Sequence, residues 1–298
     1  MYSDKEQHLI DRILKASLEL ARMKEKNTYE TFVKMNDKCR PHKLMENLFS
    51  ISSKTIHGRN VWTLAPQQGR NELHVLFLHG GAYVTNITPA HWFFIGSMIQ
   101  KLKCTVVVPD YPLAPENHVN DVFDMLLPVY EQLIERVGAF RIALMGDSAG
   151  GGMALALVQL LRKKKIDQPG KLYLLSPWLD VHMTNPGIRE TDALDPILNV
   201  QGLIDCGVAY SGETDRSNYL VSPLYGSFED LPDTSLYVGT HEVMLADARK
   251  FKSDAREAGL KLEYHEIKNL LHDGMLYPTP EGKDCRMMIF RSLKKDFS

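Results

Sequence analysis

What the chain lacks narrows it first. Its 298 residues hold four cysteines, Cys39, Cys104, Cys206 and Cys285, with no C-x-x-C pair among them. Such scatter excludes a zinc ribbon or a disulfide framework and implies reduced thiols. No apolar run approaches the roughly 20 residues of a membrane-spanning helix. The opening stretch, MYSDKEQHLIDRILKASLEL, is charged from Asp4 onward and has no uninterrupted apolar centre, so neither a signal peptide nor an anchor is expected. A soluble, cytoplasmic protein is the expectation. Positive charge is not in excess either: 35 Lys and Arg stand against 37 Asp and Glu, a formal net charge of -2. A nucleic-acid partner is therefore not expected, because phosphate binding requires a basic field. Internal repeats and low-complexity tracts are also missing.

What remains is an ordinary globular composition, 44% hydrophobic and 24% charged, long enough for one large α/β domain. Residues 4–26 place Leu9, Ile13, Ala16, Leu20 and Met23 at helical spacing, which predicts an amphipathic helix packed through that stripe. FSISSKTI and NVWTLAP, divided by HGRN, predict a β-hairpin. From residue 73 short apolar runs recur: LHVLFL, CTVVVP, RIALM, KLYLLS, SLYVG and KLEYHEI. Helical segments such as 120–136 and 152–164 fill the first gaps, and RKKK at 162–165 reads as a solvated helix end. This alternation predicts a doubly wound, mostly parallel sheet covered on both faces. The connection 180–234, with a weak helical run near 200–210, is too long for a simple crossover. It is expected, together with about residues 1–47, to form a cap over the carboxyl ends of the strands, the cap's share of the connection ending near 225.

One short stretch carries the chemistry. In GDSAGG, Gly146 to Gly151, a serine stands between an apolar strand and an apolar helix, with glycine two positions to either side. A nucleophile on such a strand-to-helix turn adopts strained backbone angles, and its neighbours must be small. Ser148 is therefore the candidate nucleophile. The pattern fits neither G-x-G-x-x-G nor a P-loop ending in G-K-[ST], so nucleotide binding is not expected. A second element, HGGAY (His79 to Tyr83), follows the strand LHVLFL. Gly80, Gly81 and Ala82 form the candidate oxyanion loop: Gly80 supplies the turn, and the amides of Gly81 and Ala82 join that of Ala149 beside the serine. His79 is expected to brace this loop.

The base should follow the last strand. His265 lies within KLEYHEI and reads as a packed or edge residue, whereas His272 lies in the loop beyond it and is the candidate base. For the acid, Glu242 stands just beyond a strand end, where it can meet the outer nitrogen of the imidazole. Asp247, five positions on, is the alternative acid and is also placed to cap a helix. HEVML is not a zinc motif, because Leu245 stands where the second histidine would be; no metal or other cofactor is expected.

HGGA, PDYPLAPE (109–116), GDSAGG, LSPWLD (175–180), VSPLYG (221–226) and LLHDG occur in an order that resembles the hormone-sensitive-lipase-like esterases of the α/β-hydrolase superfamily. The resemblance spans about residues 73–280. It implies an α/β-hydrolase fold and cofactor-free hydrolysis of a small carboxylic ester, usually with a short acyl chain. It assigns the nucleophile to Ser148, the base to His272 and the oxyanion amides to Gly81, Ala82 and Ala149. The family's spacing, counted back from Gly259, puts the acid at Glu242. Five positions depart from its pattern: Ala82 replaces a third loop glycine, Pro112 an arginine, Glu242 the more usual aspartate, and Asp273-Gly274 a Gly-Phe pair. An amidase or peptidase with the same triad is the alternative, as is a binding module on the same scaffold; the retained His272 disfavours the latter. Tyr83, Trp178 and Met275 are open to either pocket or core, and a homo-oligomer is compatible with the sequence.

Overall fold

The computed structural model describes residues 4–22, 24–34 and 40–298; Met23, Cys39 and the side chain of Leu20 lie outside them. Strands β1 (Phe49–Ile56) and β2 (Arg59–Pro66) pair antiparallel through His57 and Gly58. Both turn residues have positive φ, 48° and 76°, the twist that matches flanking strands in a two-residue hairpin. The remaining strands are β3 (His74–Leu78), β4 (Thr105–Pro109), β5 (Ile142–Asp147), β6 (Lys171–Leu175), β7 (Thr234–His241) and β8 (Leu262–Leu271). They extend the hairpin into one sheet of order β1-β2-β4-β3-β5-β6-β7-β8, parallel from β4 onward.

Helices α1 (Asp4–Ala21), α2 (Tyr29–Lys34), α3 (Pro89–Leu102), α4 (Val119–Val137), α5 (Ser148–Lys164), α6 (Ile188–Asp192), α7 (Val200–Ser211), α8 (Leu245–Glu257) and α9 (Pro280–Asp296) complete the chain. Side chains alternate across the strands. Leu76, Leu144, Leu174 and Leu236 join one buried core, and Val75, Phe77, Met145 and Tyr173 the other. The fold class is thus an α/β-hydrolase sheet, as expected. Helix α5 ends at Arg162–Lys164, with exposed Lys163 and Lys164 and a left-handed Lys165. Among the described residues, no helix is long and apolar enough to cross a membrane.

Helix α1 corrects one expectation. Of the expected stripe Ile13 is half-buried and packed against the core, while Leu9 is 45% exposed and Ala16 is also exposed; the fully buried stripe is Ile10, Leu14 and Leu18. Both stripes have helical period. The helix's partner α3 selects the one that faces the core, and the helix ends at Ala21 rather than continuing to 26. The long connection and the N-terminal segment meet each other: Lys24 Nζ pairs with Asp192 Oδ1 at 2.6 Å, and Asn27 Nδ2 donates to the Ile197 carbonyl at 2.7 Å.

The sheet order places the chemistry. From β3 the chain crosses to β4 on one side, whereas from β5 it crosses to β6 on the other, so a crevice opens between the carboxyl ends of β3 and β5. HGGAY and GDSAGG emerge there. Helix α5 lies so close to the sheet that a Cβ on Gly150 would stand 2.0 Å from the Leu78 carbonyl oxygen. Gly150→Ala is therefore expected to lower the free energy of unfolding by at least about 2 kcal/mol. In urea titrations of the two variants Gly69→Ala, where a Cβ meets open space at φ +70°, should cost only about 1 kcal/mol.

Candidate active site

Ser148 ends the run from a wholly buried strand into a wholly buried helical turn. Its φ is +50°, a left-handed conformation that raises the side chain off the turn at a cost of order 1–3 kcal/mol. The backbone is locked from outside: the Trp178 N–H donates to the Ser148 carbonyl at 2.9 Å. Asp147, just before it, is buried and uses Oδ2 to accept from the Gly80 N–H at 3.0 Å and from His91 Nε2 at 2.9 Å. The two glycine-containing loops are therefore tied to each other through one carboxylate.

That tie gives Gly80 its place as the turn of the loop rather than as a donor. Its amide is committed to Asp147, which leaves Gly81, Ala82 and Ala149 as the candidate oxyanion donors. Gly81 has φ +127°, an angle glycine adopts far more readily than other residues, and Ala82 and Tyr83 follow at +52° and +65°. Ala82 thus keeps an amide where the family has a third glycine, while accepting left-handed strain of about 1 kcal/mol. Ala149 lies in the first turn of α5, where amides have no partner inside the helix and the dipole favours negative charge. His79 braces the loop: its Nδ1 donates to the Gly80 carbonyl at 2.7 Å, and its ring stacks on Tyr111 at 4.3 Å. Burial, with His91 adding to it, pushes His79 down to about 3, so it stays neutral.

The other half of the site comes from the last two strands. Their pairing is irregular between Gly239 and His241 and resumes with His241 opposite Leu271. The next residues, Glu242 and His272, consequently leave the sheet side by side. Glu242 is fully buried; Oε1 accepts from Ser176 Oγ at 2.7 Å and from the Gly239 N–H, and Oε2 lies 2.8 Å from His272 Nδ1. His272 Nε2 lies 2.9 Å from Ser148 Oγ. Burial alone would lower this imidazole, but Asp273 and Glu242 outweigh it and hold His272 well above the ordinary histidine range.

Asp247 stands apart from this chain of contacts. It lies in the first turn of α8, buried, and accepts from Asn185 Nδ2 at 2.9 Å. His265, on edge strand β8, stacks on Tyr237 at 4.6 Å. Tyr83, Trp178 and Met275 are all buried, with Tyr83 stacked on Tyr210 of α7 at 3.7 Å and on Trp178 at 5.1 Å. Cys104, Cys206 and Cys285 are buried free thiols pushed up to about 12 by burial, which makes them poor nucleophiles. Among the described residues, no group of three His, Cys, Asp or Glu could hold a metal ion.

Sequence reasoning passed over four polar residues around this site: His91, Ser176, Asp195 and Asp147. His91 sits inside the apolar run PAHWFFIG, the one signal that would have marked it. Asp195 accepts from the amides of Ile197, Leu198 and Val243 at 2.7–2.9 Å and so pins the long connection beside Glu242. Nothing local in its sequence announces that.

The profile of a family described as the alpha/beta hydrolase fold matches residues 75–276. Over 216 residues the chain is 29% identical to an esterase of Acinetobacter venetianus, covering 71% of each chain. It is likewise 29% identical over 222 residues to an acetyl-hydrolase of Streptomyces hygroscopicus, covering 74% of this chain and 73% of that one. A solved esterase from the bacterial hormone-sensitive lipase family superposes with a TM-score of 0.82 at 25% identity, and each chain is covered at 100%. With strand order, elbow and relatives in agreement, the chain belongs to the alpha/beta hydrolase fold family, among its hormone-sensitive-lipase-like members.

Proposed function

We propose that this chain, a carboxylic ester hydrolase by kinship, cleaves short-acyl esters through an acyl-enzyme formed on Ser148. The observation that carries the reading is the continuous contact Ser148 Oγ–His272 Nε2–His272 Nδ1–Glu242 Oε2, at 2.9 and 2.8 Å. As Oγ bonds to the acyl carbon, its proton passes to neutral His272 Nε2, while the amides of Gly81, Ala82 and Ala149 receive the oxyanion. The C–O bond to the alcohol then breaks, and His272 returns the proton to the departing oxygen. Water attacks the acyl group next, giving a proton to His272. Release of the carboxylic acid returns the proton to Ser148. Glu242 holds the ring in the tautomer this cycle requires and stabilises the imidazolium formed within it.

Two further features belong to the proposal. Helices α1, α2 and α7 with the connection around them act as a cap; the stack of Tyr210 on Tyr83 and the bond from Thr85 Oγ1 to the Phe32 carbonyl at 2.9 Å support this, because both fasten that layer to the oxyanion loop. A short acyl preference is supported by these buried aromatic rings and by the name of the Streptomyces relative.

Ser148→Ala should reduce kcat on p-nitrophenyl acetate on the order of 10⁴-fold or more, and retention of turnover would refute the acyl-enzyme. Glu242→Ala should cost on the order of 10³-fold or more, whereas Asp247→Asn should leave kcat near wild type. The second variant also has a stability signature. Burial raises the Asp247 carboxyl to about 6, so the native state favours its protonated form, and that contribution is lost as pH rises from the ordinary 3.8 through 6. Asp247→Asn should therefore stabilise the protein at pH 7.5 but not at pH 3.5, as read by thermal unfolding. Across p-nitrophenyl esters from acetyl to decanoyl, kcat/KM should fall with chain length; a maximum at decanoyl would overturn the short-acyl reading.

A further inference from the structure

His272 Nε2 has a second neighbour. Asp273 Oδ2 lies 3.2 Å from it, on the same nitrogen that lies 2.9 Å from Ser148 Oγ. The approach is a product of backbone conformation: Asp273 is left-handed, with φ 51° and ψ 26°, which folds its side chain back over the preceding ring. Aspartate tolerates that region better than most residues. In the family this chain resembles, a glycine follows the histidine, and a glycine can place no carboxylate here. The imidazole thus lies between two carboxylates, Glu242 at Nδ1 and Asp273 at Nε2.

We propose that Asp273 is a positioning residue for the ester hydrolysis: its carboxylate holds a protonated His272 in an ion pair that must lose the Nε2 proton before Ser148 can be activated. The reason is a conflict over one nitrogen. A neutral imidazole presents a lone pair at Nε2, which suits the Ser148 hydroxyl and repels a carboxylate 3.2 Å away. A protonated one presents a hydrogen there, which suits Asp273 and cannot accept from the serine. With two buried carboxylates beside it, the ring keeps the proton in the resting protein. On activation that proton passes to bulk water, Nε2 turns to Ser148, and the cycle proceeds.

The surroundings do not cancel this pull. Burial, with Asp147 before the nucleophile and Glu242 adding to it, disfavours the charge of Asp273 and raises its carboxyl to about 6; His272 opposes them. Asp195, from the long connection, also feels the charge of His272. His91 of α3 and Tyr277 face Asp273 as well, the first favoured in its charged form by it and the second in its neutral form. At neutral pH the state these groups select is an imidazolium with Asp273 ionised.

The consequence is a hydrolase whose acid limb lies to the alkaline side of an ordinary histidine enzyme. The inference rests on His272 being the base, and its test has two separable readouts. First, ¹⁵N NMR of the histidine side chains, assigned with His272→Ala, should find the His272 ring protonated at pH 7.5 in the resting protein. In Asp273→Asn, which keeps size and left-handed tolerance, its titration should fall by about one to three pH units. Second, the acid limb of kcat/KM should fall by the same amount. A neutral His272 at pH 7.5 in the wild type, or a titration unmoved by Asp273→Asn, overturns the proposal. A shifted titration with turnover surviving in Ser148→Ala instead refutes the triad reading and leaves the ion pair standing.

Discussion

The structure turns on how closely α5 can approach the sheet. With glycine at 146 and 150, the helix begins directly at Ser148 and lies against the carbonyl of Leu78, so strand, turn and helix form one rigid elbow. Everything the site needs is referenced to that elbow. Asp147 gathers the Gly80 loop and His91, Trp178 fixes the serine carbonyl, and the helix dipole faces the space above the hydroxyl. Strain at Ser148, Ala82 and Tyr83 persists because these neighbours over-determine it.

The opposite half of the site depends on strand pairing rather than on turn chemistry. The irregularity between Gly239 and His241 brings the ends of β7 and β8 level, and the residues that follow them are an acid and a histidine. Glu242 is one methylene longer than the aspartate usual in the family. Its extra reach is taken up by anchoring Oε1 on Ser176 and the Gly239 amide, which leaves Oε2 for the ring. Asp195 then fastens the long connection to the next amide, Val243, so that connection and Glu242 share one hydrogen-bonded joint.

Carboxyl groups gather at this point. Asp147, Glu242 and Asp273 are all near one serine, and one oxygen of Asp147 and one of Asp273 have no partner among the described residues. Buried carboxylates without full hydrogen bonding are costly for stability.

Much of this was legible in the residues. The hairpin, the parallel strands, the elbow and the histidine after the last strand follow from alternation, helical period, glycine placement and order along the chain, which are properties of neighbouring residues. The rotation of α1 was not, because its two apolar stripes are equally periodic and only tertiary packing, of Ile10 and Leu14 in the cluster that includes α3 and of Leu18 in the other core, distinguishes them from Leu9 and Ala16. Nor was the commitment of the Gly80 amide to a carboxylate 67 positions away. Local sequence therefore determined which elements form and which residue types sit at their ends. The position of Glu242 at a strand end already favoured it over Asp247, but tertiary structure alone decided how its two oxygens divide between the ring and the Ser176 and Gly239 anchors, and that Asp273 meets the ring's other side, because contacts between strand ends depend on register and backbone hand, which no short stretch of sequence encodes.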